Sequence, residues 1–450
     1  MAASFGERAL AEVHQEGLDQ LLDELIQFYP ASANKQLLLG VPVIDTLLEV
    51  FMPRTSSVST DTERKPPNAA LDEQIITEDE EVLLRCSQDD RAIAAEDLSE
   101  SEFPSTVPSL GATTRVKRPS PVVEIASSLS GSGKTQLLYY IVARAILPRK
   151  ILNVTIGGLE TAVVWIDADH RLDVYRLRLV AQGILRDAWK TAGTEIGTVE
   201  ITDPSVNDVL TSCLQQVHVF RPQSSSALLA TLAQLEYYLY DLSQHCSASR
   251  PLHMIAIDSA TAFLWQDKLR DEIARTDEIG RSHPEIEARR EQKLSFYFSD
   301  LYTNLVTELK RLQKLFGCAV VYTTTVSGGR STASVSDGPS GPYDRPSSQT
   351  PSLRPALPAP WGLFPTLRLV VHRDPVRPFP AAMSAHDARR EASMRQDVVQ
   401  RGRFSACVNA WGQEDWPRRV ADSVHWHNRG WFSFYVRASG IEIISLDEPS

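Results

Sequence analysis

The sequence predicts an α/β fold: a mainly parallel sheet with helices on both faces and a C-terminal β-hairpin. Three observations carry this. Largely apolar runs at 122–125, 163–166, 217–220, 254–257 and 319–322 are short, as strands buried on both faces are. Helical patterns at 172–185, 224–239 and 294–315 separate them, and strands alternating with helices build a parallel sheet. The turn SLSGSGKT joins the first run to a helix beginning at Lys134, the context a phosphate-binding loop requires.

In chain order, residues 5–29 place Leu10, Val13, Leu18, Leu21, Leu22, Leu25 and Ile26 close to one helical face, and a second apolar stretch covers 37–51. Residues 1–52 are therefore expected to form a helical N-terminal segment and lead-in. Residues 53–118, rich in Ser, Thr, Pro and acid without a sustained period, are expected to be a disordered acidic insertion. The main domain is expected at 119–448. Its first helix carries a stripe of Leu137, Leu138, Ile141, Val142, Ala145 and Ile146. Within it, 327–360 is predicted to be a mobile loop that buries little, because 19 of its 34 residues are Ser, Gly or Pro. A strand returns at 367–371, a charged helix is expected at 384–403, and runs at 432–436 and 441–444 around Gly440 read as the hairpin. Trp361 is expected to be a core or loop anchor and not a base-stacking platform. His425 and His427 are spaced to share a strand face and read as surface histidines.

Composition narrows the function. The 450 residues are 42% hydrophobic and 23% charged, a globular balance, and no run is long enough to span a membrane. The N-terminus lacks the basic start and apolar stretch of a secretory signal. The five cysteines form no C-x-x-C pair, so reduced thiols are expected. Net charge is −11, and 71–102 alone holds twelve acids against Arg85 and Arg91, which is −10. The remaining body is near neutral, which argues against a strong, permanent electrostatic grip on DNA. The basic stretch RVKRPSP at 115–121 reads as an import signal or a solvated linker.

The sharpest chemical signal is the loop itself: Ser128, Leu129, Ser130, Gly131, Ser132, Gly133, Lys134 and Thr135. Backbone N–H groups turned inward hold phosphate oxygens, and the helix N-terminus adds positive potential. Gly131 and Gly133 let the backbone approach closely. Lys134 is expected on the β- and γ-phosphates of ATP, and the Thr135 hydroxyl on Mg2+. Ser128 stands where the motif has Gly. If that position requires positive φ, a strain of about 1 kcal/mol is expected. Asp258, closing the run HMIAID, is the expected second Mg2+ partner, because strand C-termini in a parallel sheet face the ligand crevice. Hydrolysis also needs a group that orients water. Asp169 is the candidate, with Asp167 as the alternative.

Taken together, the motifs resemble the RecA-like core of eukaryotic recombinases, and within it the recombinase paralogues. The carrying segments are GKTQLLYYIVARAILP (133–148), GLETAVVWIDADHRLDVYRL (158–177), SSSALLATLAQLE (224–236), IAIDSATAFLWQDKL (255–269) and ASGIEII (438–444), with LLLGVPVIDTLL (37–48) resembling the family's lead-in. The resemblance implies a RecA-like P-loop NTPase core over about 330 residues. It also implies a nuclear protein of DNA double-strand break repair by homologous recombination. Its partners would be other recombinase paralogues in a heteromeric complex that assists recombinase loading. Contact with single-stranded or branched DNA would be weak alone.

Three departures bear on activity. Recombinases that hydrolyse ATP well have Glu where this chain has Asp169, whose carboxylate sits back by about 1.5 Å, a misplacement able to cost about 100-fold. They have Gln where this chain has Thr325. Ser128 is the third. The expectation is at most a weak DNA-dependent ATPase. The alternative is a non-enzymatic adaptor with a vestigial nucleotide site. A small-molecule kinase fits less well, because 327–360 carries only Arg330, Arg345 and Arg354 for a basic lid.

Overall fold

The computed structural model describes residues 38–52, 120–151, 153–193, 204–291, 296–326, 352–374, 380 and 382–444. The chain divides into one unit of Met1–Pro53 with Pro119–Ser450 and a second of Arg54–Arg118. The second unit, the helix expected at 5–29 and most of 327–360 lie outside the described residues.

Eleven strands are described. Nine form one sheet: β1 (Val122–Ser127), β4 (Ala162–Asp167), β5 (Val217–Phe220), β6 (Leu252–Asp258), β7 (Ala319–Thr325), β8 (Leu367–Arg373), β9 (Arg403–Val408), β10 (Phe432–Arg437) and β11 (Gly440–Ile444). β2 (Lys150–Ile151) and β3 (Val154–Thr155) pair separately. The order is β11-β10-β9-β8-β1-β7-β6-β4-β5. The stretch from β8 to β5 is parallel, and β8 to β11 run antiparallel. This is the mainly parallel α/β sheet that the alternating pattern predicts, RecA-like in its core.

The sheet sits between two helical layers, and strand residues alternate between them. On one side Val123, Ile125, Val163, Trp165, Ala256 and Val321 pack with helices α1 (Pro42–Phe51), α2 (Lys134–Ile146), α3 (Val174–Thr191) and α4 (Pro204–Leu214). On the other, Val122, Val164, Ile166, Ile255, Ile257 and Val320 pack with α5 (Ser225–Tyr240) and α8 (Phe298–Phe316). The stripe expected on the first helix is buried: Leu137, Leu138, Ile141, Val142, Ala145 and Ile146 are all at 0% exposure. Ser224 caps α5 by accepting from Ala227 N at 3.1 Å. The lead-in is held by Asp45, which accepts from Leu39 N and Gly40 N, while Arg144 of α2 donates to the Gly40 carbonyl.

Several local expectations are corrected. Two exposed helices, α6 (Leu264–Glu278) and α7 (His283–Glu291), follow β6, and α8 begins only at Phe298. Residues 352–360 are not a loose continuation of a mobile loop. Leu353 and Leu357 are buried, and Leu353 exchanges two hydrogen bonds with the Asn409 side chain, at 2.9 and 2.8 Å. Trp361 is buried at 1%, in the short helix α9 (Ala359–Gly362). The charged helix α10 (Ala385–Arg401) is followed at once by β9. The histidines of VHWHN close helix α11 (Arg418–Trp426) and share no strand face: His425 is in its last turn and His427 caps it.

Candidate functional site

β1 is buried along all six residues and ends at Ser127, where the chain turns through the loop into α2. Gly131 lies at φ 73°, and Gly133 at φ 95°, ψ 2°. Gly133 is the N-cap of α2 and offers no side chain to the first-turn N–H groups, so they stay open to an outside acceptor. The loop is braced from within. Both Ser127 Oγ and Ser132 Oγ donate to the Leu129 carbonyl at 2.7 Å. Ser128 carries no strain of the kind its departure from Gly raises. The non-glycine residues with positive φ among the described residues are Asn153, Glu160, His170 and Arg429. Ser128, Leu129, Ser130 and Gly131 are exposed, and Ser132, Gly133 and Lys134 are buried.

Lys134 donates to Ser127 Oγ at 2.6 Å. Burial holds its ammonium pKa below the ordinary lysine range, against the pull of the nearby Asp258 and Asp169 carboxylates. Asp258, at the C-terminal end of β6, accepts from Thr323 Oγ1 of β7 at 2.5 Å and from the Thr135 hydroxyl. Burial pushes its pKa up, and those hydrogen bonds oppose the shift only in part. So the loop, Lys134, Thr135, Asp169 and Asp258 meet at one end of the sheet. A hydroxyl and a carboxylate in contact, with a second carboxylate close by, make an all-oxygen donor set. That chemistry suits a small hard divalent cation, and the open glycine loop suits phosphate.

The two aspartates of the ID-x-D turn separate cleanly. Asp167 is 1% exposed, and its carboxylate accepts from Arg171 N, Leu172 N and Arg221 Nε at 2.8, 3.2 and 3.0 Å. It holds the turn shut. Asp169 is exposed, with its backbone N donating to the Asp258 carbonyl at 3.2 Å. Asp169 is therefore the carboxylate available at the site, and Asp167 is the one that positions it. Thr325 donates its backbone N to Thr261 Oγ1 at 3.1 Å.

Glu124 is a further acid beside the site. It lies mid-strand in β1, 3% exposed, accepting from Thr324 Oγ1 at 2.8 Å and facing Arg368 Nε at 3.5 Å. Burial raises its pKa, and the Thr324 hydroxyl and Arg368 moderate the rise. An acid inside the apolar run VVEIA is the signal that marks it in the sequence.

Curated proteins similar to this chain include two DNA repair proteins. The DNA repair protein XRCC2 homolog of Arabidopsis thaliana is 25% identical over 272 residues, covering 56% of this chain and 68% of that protein. The DNA repair protein XRCC2 of Mus musculus is 30% identical over 211 residues, covering 47% of this chain and 58% of the mouse protein. No family model matches the chain. Among the described residues, no helix is long and apolar enough to cross a membrane.

Proposed function

We infer that this chain, an XRCC2-like paralogue of the RecA family, is an ATP-binding component of DNA repair by homologous recombination. The observation that carries the nucleotide reading is the contact between the Thr135 hydroxyl and Asp258, next to an open loop and a buried Lys134. In this reading residues 128–133 present backbone N–H groups to the phosphates. Lys134 leaves Ser127 to meet the β- and γ-phosphates. Thr135 and Asp258 hold Mg2+. The bound cation would supply charge neutralisation on the phosphate oxygens. Asp169 orients water, and its short side chain keeps turnover low.

The chain would act in the nucleus within a heteromeric complex of recombinase paralogues that helps the main recombinase load at double-strand breaks. It would contact single-stranded or branched DNA weakly by itself. The near-neutral charge outside 71–102 supports a partner-dependent role. A second reading, a non-enzymatic adaptor with a vestigial site, draws on one observation: Lys134 is already satisfied internally by Ser127.

The deciding experiment is ATP hydrolysis by the purified chain, with and without single-stranded DNA, beside Lys134→Ala. Turnover that DNA stimulates and Lys134→Ala abolishes supports the ATPase reading. A folded chain with no turnover above the variant supports the adaptor.

A further inference from the structure

The loop is held from outside by a residue roughly 270 positions away. A methyl group on Gly133 would lie 2.7 Å from Phe404 Cδ1 and 3.2 Å from Phe404 Cε1, closer than side chains pack. Phe404 belongs to β9, opposite Arg373 of β8 and Phe434 of β10. Its ring is 7% exposed and stacks on Phe434 at 5.5 Å with 15° between planes. The Arg373 guanidinium lies 5.8 Å from its centroid on β8. The ring is thus held by the Phe434 stack, with its edge filling the space a side chain on Gly133 would take.

We propose that Phe404 is a positioning residue for the phosphate loop: its ring fixes Gly133, and through it the start of α2 and Lys134. Gly133 is the point where such a contact has most effect. Its φ of 95° is open to glycine and closed to nearly every other residue. Glycine is also the residue with most freedom to leave that conformation, so something else must hold it there. Inside the loop, Ser127 and Ser132 are tied to Leu129, and neither of these bonds reaches the Gly133 N–H. The Gly133 carbonyl accepts from Leu137 N, which fixes its helix side. Phe404 supplies the restraint on the loop side by shape. A pre-shaped loop binds an anion without the cost of ordering on contact. The antiparallel extension β8–β11 then has a task in the site: it carries the wedge.

The role of Phe404 in ligand affinity rests on the nucleotide reading above, while its restraint of the loop does not. The test therefore reads both. Phe404→Ala and the milder Phe404→Leu are compared with Phe434→Leu, which disturbs the same stack without touching Gly133. Amide hydrogen exchange over 128–136 is followed in the ligand-free chain. Binding of a fluorescent N-methylanthraniloyl ATP with Mg2+ is titrated in parallel, with Lys134→Ala as reference.

Both Phe404 variants should speed exchange in the loop and weaken the analogue by about tenfold. Phe434→Leu, which leaves the Phe404 ring against Gly133, should lower the melting temperature and move both readouts less than either Phe404 variant. Unchanged loop exchange in the Phe404 variants, or an equal change in Phe434→Leu, overturns the proposal. If loop exchange responds as expected but the wild type binds the analogue no better than Lys134→Ala, the nucleotide reading fails and the positioning role stands.

Discussion

Arg368→Met isolates the carboxylate of Glu124. The two groups face each other at 3.5 Å, with side chains 16% and 4% exposed. At an effective dielectric near 20, charges at that separation attract by about 5 kcal/mol. The loss on removing the arginine cannot reach that figure at every pH, because Glu124 can escape by taking a proton. From the ordinary glutamate value of 4.5, taking the carboxyl to its neutral form at pH 7 costs about 3.4 kcal/mol relative to the ionised unfolded chain, at 1.36 per unit, and this caps the loss. The same escape costs about 0.7 kcal/mol at pH 5. The sign follows from burial, which raises the folded pKa above the unfolded one. Above pH 4.5 the native state holds more proton than the unfolded chain, so acidification stabilises the fold with respect to this group. Arg368→Met should therefore destabilise by about 3 kcal/mol at pH 7, with most of that loss recovered by pH 5. The lost bond from Arg368 to the Gly362 carbonyl adds a part that does not vary with pH. Urea unfolding at several pH values measures this directly, with Glu124→Gln/Arg368→Met as the closing corner of the cycle. A pH-independent loss, or a double variant no more stable than Arg368→Met at pH 7, would refute the argument.

Three further outcomes are expected. Asp169→Glu restores the missing methylene and should raise ATP turnover by up to about 100-fold; a turnover no higher than wild type would sink the reach argument. Burial, with His245 beside it, pushes the His218 imidazole down to about 4, so the native state refuses a proton that the unfolded chain accepts below pH 6.5. Stability should fall by about 3 kcal/mol between pH 6.5 and 4 on this account, and His218→Gln should flatten that slope in acid urea titrations. Gly183→Ala in α3 should gain about 1 kcal/mol of helix propensity. It should lose more than that, because the new methyl would sit 2.9 Å from the Ser439 carbonyl and 3.0 Å from Gly440 Cα. A raised melting temperature would show that the hairpin yields.

The parts of the fold that read clearly are those whose residues are buried on all sides. β1, β4, β6 and β7 cross the core with apolar residues on both faces, and buried polar residues such as Glu124 and Thr323 are too few to hide the pattern. The elements that escaped reading are exposed or one-sided. α6 buries only Leu264 and Asp267 of its fifteen residues, so it offers no stripe to find. β9 begins at Arg403, directly after the charged α10, and the charge of RGR hides the start of RFSACV. In α11 only Val420 and Val424 are buried, and two flanking histidines imitate the period of a strand. Residues 352–360 mislead by composition. Their three prolines read as loop, yet two leucines four apart are enough to seat the segment. At the site, the loop and Asp258 follow from motif and strand polarity. The division of labour between Asp167 and Asp169 does not, since only the folded turn shows which carboxylate is spent on backbone N–H groups.

The run of threonines closing β7 is also spelled out in the sequence, though its task comes from sheet order. β1 carries the loop and β6 carries Asp258, and they are not neighbours: β7 lies between them. Consecutive residues of a strand face opposite sides, so Thr323 and Thr324 can each serve a different acid. Thr323 donates to Asp258 on β6, and Thr324 donates to Glu124 on β1. One strand therefore ties both flanking strands by hydroxyl contacts to buried carboxylates. Each bond moderates a carboxyl that burial would otherwise drive further toward its neutral form. The spacing between loop and Asp258, on which the Thr135 contact depends, is then a property of β7. Small changes there should be felt at the loop.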